Sequence, residues 1–249
     1  MLNLLVVTPT LNSEKYLLET LTSVQNVLSL IPNSRHVIVD SFSSDNTVTI
    51  AKEFGALVIY EKAGSMYKAI NTGITAYPSK WITYINSDDK LNCNLATLIN
   101  SDFINTYDII SGAFALIDSR SRCFHQRLAF PILFHRISYF VGGMPFPQSG
   151  TVISRDLYNR LNGFSLKYKY ASDFDFFLRA NLQNSKVFLS VKILSSFRLH
   201  EEQLSHVNNS AHLNEIRAIL KYNTSKPSLF ALLLFRCVYL ICVKLFVRF

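Results

Sequence analysis

The sequence predicts an α/β protein built on a mostly parallel, Rossmann-like central sheet with helices on both faces. Three observations lead there. Short apolar runs alternate with segments of helical periodicity through the first hundred residues. Small polar and acidic residues stand at the ends of three of those runs, where open parallel sheets bind their ligands. The 249 residues are 49% apolar and only 17% charged, enough for a sizeable core and too little charge for a disordered chain.

The elements follow in order. Leu4–Val7 is a first buried strand ending in Thr8-Pro9-Thr10, and Ser13 to Leu30 has helical periodicity. Val37-Ile38-Val39 is a second strand closed by Asp40 and a turn rich in Ser, Asp and Asn. Asp45-Asn46 caps the next helix, which carries Ile50, Ala51 and Phe54, and Gly55 stops it. Leu57–Tyr60 is a third strand, Met66–Ala76 a third helix, and Trp81–Ile85 a fourth strand ending in Asn86-Ser87-Asp88-Asp89. Asp108–Ile117 reads as a strand or hairpin. Residues 119–148, basic and aromatic with Gly142-Gly143, read as a mobile or partner-facing segment. Thr151-Val152-Ile153 is a short strand leading to a helix that ends near Gly163, and Ser172–Leu182 is a helix.

The charge is segregated. Residues 1–118 carry seven Lys/Arg against eleven Asp/Glu, and residues 119–249 carry eighteen against six. An acidic half suited to cations thus precedes a basic half suited to an anionic partner. The apolar run Leu229–Val247 is interrupted by Arg236 and Lys244. A spanning helix needs roughly 20 predominantly apolar residues, and a central Arg is costly. On a helix Arg236, Lys244 and Arg248 share one side, so the segment reads as an amphipathic helix on an anionic membrane surface, with packing on the domain as the alternative. Met1–Val7 lacks the basic leader of a signal peptide. Cys93, Cys123, Cys237 and Cys242 form no CxxC pair or metal spacing and read as free thiols of a reducing compartment. Together these predict a cytoplasmic protein, peripheral at the inner face of the cell membrane.

Asp88 and Asp89 are adjacent carboxylates at the end of a buried strand, a placement poor for packing and good for a divalent cation. Mg²⁺ and Mn²⁺ take oxygen ligands and commonly bridge one or two carboxylates to a diphosphate. Such an ion stabilises a departing nucleoside diphosphate.

Five segments then carry a resemblance. Val7-Thr8-Pro9-Thr10-Leu11-Asn12 looks like the opening strand and loop of family 2 glycosyltransferases. Val39-Asp40-Ser41-Phe42-Ser43-Ser44-Asp45-Asn46-Thr47 resembles their nucleotide-binding turn, and Gly64–Ile74 their Gly-x-Tyr-x-Ala-x-Asn-x-Gly segment. Asn86-Ser87-Asp88-Asp89 resembles their Asp-x-Asp element with Asn in the first place. Gly163-Phe164 with Ala171–Arg179 resembles the segment bearing their catalytic base. The likeness runs in order over roughly residues 3–205.

The resemblance implies a GT-A fold with a C-terminal helical tail, and an inverting displacement dependent on Mn²⁺ or Mg²⁺. Thr8, Pro9, Thr10, Asp40, Lys68, Asn71, Ser87 and Asp88 would form the nucleotide site. Asp88 would hold the metal with Asp89, with Asn86 as auxiliary and His200 near the metal or diphosphate. Asp173 would be the base that deprotonates the acceptor hydroxyl; one base suffices for a single in-line displacement. The implied partners are a nucleotide-sugar donor and a saccharide or lipid-linked acceptor, in surface-polysaccharide synthesis (O-antigen, capsule or exopolysaccharide). The expected organisation is a catalytic domain over residues 1–205, split into a nucleotide-sugar-binding half at 1–118 and an acceptor-binding half at 119–205. A membrane-associating segment over 206–249 completes it.

Two other readings start from the same sheet. A nucleotidyltransferase is expected to place a glycine-rich basic loop after the first strand, where Thr10-Leu11-Asn12-Ser13 stands. A non-catalytic binding subunit has no need of Asp88 and Asp173, and both are present. The basic residues interleaved with aromatics between 120 and 140 match no nucleic-acid-binding module, so no nucleic-acid partner is expected.

Overall fold

A computed structural model of the chain describes residues 1–62, 64–129, 135–140, 142–201, 203 and 209–223. Among them nine strands form one sheet in the order β3-β2-β1-β4-β8-β6-β9-β5, with β7 added alongside β6. The strands are β1 (Leu2–Thr10), β2 (Ser34–Asp40), β3 (Leu57–Tyr60), β4 (Ser79–Tyr84), β5 (Lys90–Leu91), β6 (Ile109–Ile117), β7 (Cys123–Arg127), β8 (Val152–Ser154) and β9 (Val187–Arg198). Helices α1 (Glu14–Leu28), α2 (Thr47–Glu53), α3 (Met66–Ala76), α4 (Asn94–Ile99), α5 (His135–Phe140), α6 (Arg155–Arg160), α7 (Ser172–Leu182) and α8 (Asn209–Asn223) connect them. Strands β1 to β4 are mutually parallel. Strand β8 runs against β4 and β6, and β9 is parallel to β6. The mostly parallel sheet predicted from the alternation is therefore present.

Strand β1 shows why both faces carry helices. Leu5 and Val7 join a core with α3, α6 and α7, whereas Leu4 and Val6 join one with α1 and α4. A strand buried on both faces reads as a continuous apolar run, as Leu4–Val7 does. Helix α3 lies so close to the sheet that a Cβ on Gly73 would sit 2.6 Å from Val7 Cγ1 and 2.8 Å from Val39 Cγ2. Only glycine permits that approach.

Elements absent from the sequence reading are β5, β7, α4, α5 and β9, whereas α8 falls in the helical tail expected over 206–249. The basic stretch 119–148, expected to be mobile or partner-facing, instead contributes β7 to the sheet edge and α5, whose Tyr139 is in the core. Tyr139 and Phe146 there are buried in the domain's own core, whereas Phe124 and Leu128 are exposed. The expected membrane segment 206–249 is corrected in its first part. Helix α8 docks on the domain through buried Ile216 and Ile219, and Glu215 accepts hydrogen bonds from the Lys169, Tyr170 and Ala171 N–H groups. The apolar run Leu229–Val247, with Arg236, Lys244 and Arg248, lies outside the described residues. Among the described residues no helix is long and apolar enough to cross a membrane.

Candidate active site

The loops after β1 and β2 are sewn together before any ligand is considered. The Asn12 N–H donates to Ser43 Oγ, and the Ser44 N–H donates to Asn12 Oδ1, both at 2.9 Å. The Glu14 N–H at the start of α1 donates to Asp45 (3.1 Å), and the Asn46 N–H at the start of α2 donates to Glu14 (2.9 Å). Each helix thus caps the other with a carboxylate, which satisfies free N–H groups and complements both dipoles. Asp45 also accepts from the Thr47 N–H and hydroxyl, as the sequence reading of a cap requires.

Asp40 sits at the centre of this unit and is fully buried. Its carboxylate accepts from the Thr10 hydroxyl (2.9 Å), the Ser43 N–H (2.9 Å) and the Ser43 hydroxyl (2.6 Å). Asp40 and Thr10 therefore shape the turn that a nucleotide would meet. Thr8 is also fully buried, with its hydroxyl 2.9 Å from His36 Nε2. Its side chain points into the helix-packed interior, which corrects its assignment as a pocket-lining group. Pro9, on the opposite face of β1, is partly exposed.

Helix α3 divides its motif residues by face. Ser65 caps it by accepting from the Tyr67 N–H. Lys68 is half exposed and paired with Glu61 at 2.7 Å. Asn71 bridges α3 to the Gly163-Phe164 loop. Its Oδ1 accepts from the Tyr158 hydroxyl (2.7 Å) and the Phe164 N–H (3.1 Å), and its Nδ2 donates to the Phe164 carbonyl (2.8 Å). That amide is committed to the protein, a correction to the expected ribose or diphosphate contact. Tyr67, not singled out from the sequence, donates its hydroxyl to Asp173 Oδ1 at 2.9 Å.

Asp173 stands in the first turn of α7, as expected. Its Oδ1 also accepts from the Phe174 N–H at 2.8 Å, and its Oδ2 has no hydrogen bond to a described residue. Burial raises the Asp173 carboxyl above its ordinary value, while the Phe174 N–H and the Tyr67 hydroxyl pull the other way. Burial together with the Asp173 charge pushes the phenols of Tyr67, Tyr84 and Tyr139 well up, so all three remain protonated. The result is a partly buried carboxylate with one oxygen fixed by donors and the other without a partner among the described residues, an arrangement that suits a general base. Asp175 is turned away and pairs with Arg179 at 2.7 Å, as its i,i+4 spacing suggests.

The turn after β4 carries the acidic cluster. The Ser87 hydroxyl donates to Ser13 Oγ (2.9 Å), joining this turn to the loop after β1. Asp88 is 22% exposed, and its Oδ2 lies 2.9 Å from His200 Nε2. Asp89 is fully buried, and its Oδ1 accepts from the Arg198 N–H at 2.9 Å. Burial first, and the neighbouring Asp88 charge second, push the Asp89 carboxyl well up. Asp89 is therefore a structural acid beneath the turn, which corrects its expected role as a metal ligand. His200, brought in from beyond β9, is the side chain that stands beside Asp88. Asn86 Oδ1 is buried without a hydrogen-bond partner among the described residues.

Asp88 and His200 suit a divalent cation, because a carboxylate oxygen and an imidazole nitrogen are ordinary Mn²⁺ donors. Among the described residues no group of three or more His, Cys, Asp or Glu is placed to hold an ion. The pair thus fits a cation that takes its remaining ligands from diphosphate and water. The two parts of the site are linked through packed rings: Tyr84, at the end of β4 just before the acidic turn, meets Phe164 at 5.4 Å, and Phe164 meets Tyr67, the partner of Asp173, at 5.8 Å.

A family model described as Glycosyl transferase family 2 matches residues 5–161. An uncharacterized glycosyltransferase of Rickettsia prowazekii is 23% identical over 221 residues, covering 81% of this chain and 65% of its own. The poly(ribitol-phosphate) beta-N-acetylglucosaminyltransferase TarP of Staphylococcus aureus is 28% identical over 118 residues, covering 45% of this chain and 36% of its own. The chain thus spans about one to two thirds of the length of these relatives. Among solved structures, S. aureus TarS 1-349 in complex with UDP-GlcNAc matches with a TM-score of 0.68 at 19% identity, over 93% of this chain and 69% of that one. The mannosyltransferase PcManGT of Pyrobaculum calidifontis, in complex with GDP-Man and Mn²⁺, matches at 0.64 and 15% identity, over 90% and 66%. These likenesses carry the fold, and the family model covers more than half of the chain: it belongs to glycosyltransferase family 2.

Proposed function

We propose that this protein transfers a sugar, with inversion, from a nucleotide-sugar donor to a saccharide acceptor, and that the acceptor is lipid-linked. The observation that carries the reading is that two different kinds of group are joined through the packed rings of Tyr84, Phe164 and Tyr67. One end of that link leads to the Asp88–His200 donor pair, and the other holds Asp173, whose Oδ2 has no hydrogen bond to a described residue. The loop unit around Asp40 binds the nucleoside, and Pro9 and Ser87 border the same end of the sheet. The pair Asp88 and His200 holds Mn²⁺ or Mg²⁺, which when bound offsets the charge on the leaving diphosphate. Asp173 Oδ2 takes the proton from the acceptor hydroxyl as that oxygen attacks the anomeric carbon. Tyr67 keeps the other carboxylate oxygen in place during the transfer. A single base meets the demand of one displacement, and no second acid is required.

The membrane part of the proposal rests on sequence. The basic half from residue 119 and the apolar run Leu229–Val247 support a peripheral position at the inner face of the cell membrane, in surface-polysaccharide synthesis.

The test is a panel of nucleotide sugars, with release of nucleoside diphosphate measured in Mn²⁺ or Mg²⁺ for the wild type, Asp88→Ala and Asp173→Asn. Loss of about 10²–10⁴-fold in turnover is expected for Asp173→Asn, the range of a general base. Wild-type rates in both variants would overturn the assignment.

A further inference from the structure

Among the described residues, the largest of the fully buried side chains is a cation. Arg198, the last residue of β9, has no solvent exposure. Its guanidinium is nonetheless provided for at every nitrogen. Nε donates to the Asp88 carbonyl at 2.8 Å. One terminal nitrogen donates to the Asp118 carbonyl and Ser121 Oγ, both at 3.1 Å, and the other donates to Glu19 Oε2 at 3.1 Å. The Arg198 backbone N–H holds Asp89 Oδ1 at 2.9 Å. The planar group lies 4.4 Å from the centre of the Tyr16 ring, and the His200 imidazole packs against the same ring at 5.1 Å.

Asp88 arrives on the turn after β4, and His200 arrives on the segment after β9. These two stretches are more than a hundred residues apart in sequence, yet the two side chains meet at 2.9 Å. Arg198 is the residue that joins them. It belongs to the segment that carries His200, it grips the main chain of Asp88 from one side and Asp89 from the other, and it backs the ring against which His200 packs. Glu19 on α1 balances its charge. Burial works against the Glu19 carboxylate, yet donors from Ser121, Lys90 and Arg198 hold it at about 2.

We propose that Arg198 and Glu19 are positioning residues for the Asp88–His200 pair, setting the spacing at which the pair takes a divalent cation. The inference rests on the metal reading given under Proposed function. Its physical basis is that the partners of metal ligands fix ligand orientation, and their loss typically weakens metal binding by about 10–100-fold. A lysine in place of Arg198 keeps the charge but cannot reproduce the fork that reaches the Asp88 carbonyl and Glu19 together.

The experiment titrates Mn²⁺ into the full chain and follows the free ion by its EPR signal, alone and with UDP present. Wild type, Arg198→Lys, Glu19→Ala, and Asp88→Asn with His200→Asn are compared, and cooperative thermal melting reports the fold of each. Arg198→Lys and Glu19→Ala are expected to melt cooperatively and to bind Mn²⁺ about 10–100-fold more weakly than wild type. A merely structural role would lower the melting temperature and leave Mn²⁺ affinity unchanged. Folded variants that bind within about twofold of wild type, far below that range, overturn the positioning role while the metal reading stands. Equal Mn²⁺ binding by wild type and the Asp88→Asn, His200→Asn protein overturns the metal reading, and the positioning role with it. If Arg198→Lys fails to melt cooperatively, Glu19→Ala decides, because Glu19 lies at the rim with 41% of its side chain exposed.

Discussion

Replacing Tyr67 by Phe removes one hydroxyl from the site and leaves the ring, and its effect can be worked out in sign and size. The hydroxyl donates to Asp173 Oδ1 at 2.9 Å in a buried setting. A hydrogen bond to a charged group in such a place is worth about 1.5–3 kcal/mol. It acts on the ionised carboxylate, so its loss favours the protonated form. At about 1.36 kcal/mol per pKa unit, the Asp173 carboxyl should rise by about one to two units. The Phe174 N–H at 2.8 Å remains and limits the rise. A base with a higher pKa is protonated, and idle, over a wider acidic range. The acid limb of the kcat/KM profile should therefore move to higher pH by about one to two units, with a smaller loss on the alkaline side. The assay is nucleoside diphosphate release as a function of pH with the donor that wild type uses. A ¹³C-carboxyl NMR titration of Asp173 checks the same shift without turnover. An acid limb that superimposes on the wild-type curve would refute the reasoning that Tyr67 tunes the base.

Other predictions follow from single contacts. Gly73→Ala forces a methyl group against Val7 and Val39, so chemical denaturation should show a loss of about 1–3 kcal/mol, the usual cost of overpacking. Asn71→Ala strips three hydrogen bonds from the α3 bridge and should cost about 2–3 kcal/mol in the same assay. A loss of donor affinity with unchanged stability would instead restore Asn71 to the nucleotide site. Glu19 contributes stability that is full above its ordinary value of 4.5 and fades as pH falls toward about 2. The stability gap between wild type and Glu19→Gln should therefore narrow over that acid window, as read from melting temperatures. A chain truncated after Asn223 should leave the membrane fraction on cell lysis, and unchanged sedimentation would count against the anchoring role of the tail.

The half of the fold that could be read from sequence is the half with strong periodicity. Leu4–Val7, Val37–Val39 and Leu57–Tyr60 are apolar runs with helical stretches between them, and all became neighbouring parallel strands. Strand β9 escaped because Val187–Arg198 mixes Ser, Lys and Val without alternation and pairs with β6 through register shifts. Strand β5 is two residues long, below what any pattern can reveal. At the site, position along the chain was legible but direction was not. Asp88 and Asp173 stand where their segments put them, whereas Thr8 and Asn71 were placed by strand and motif and then turned inward by packing. Asp89 illustrates the same limit, since adjacent carboxylates on one turn ended in opposite environments. The partner of Asp88 is more than a hundred residues distant, and no local signal links His200 to it.

The mutual capping of α1 and α2 has a consequence for how this protein can change. Glu14 and Asp45 each terminate the other's helix, and Asn12 donates to Ser43 and accepts from Ser44 across the same gap. Neither loop is an independent module. Grafting the β1 loop of a relative with a different nucleotide preference would leave open N–H groups on the β2 side, so the transplant succeeds only if residues 11–14 and 43–46 travel together. Inheritance should respect the same unit: a drift at Glu14 exposes the start of a helix thirty-odd residues away. The two loops are thereby a two-part lock whose halves can be exchanged only as a pair.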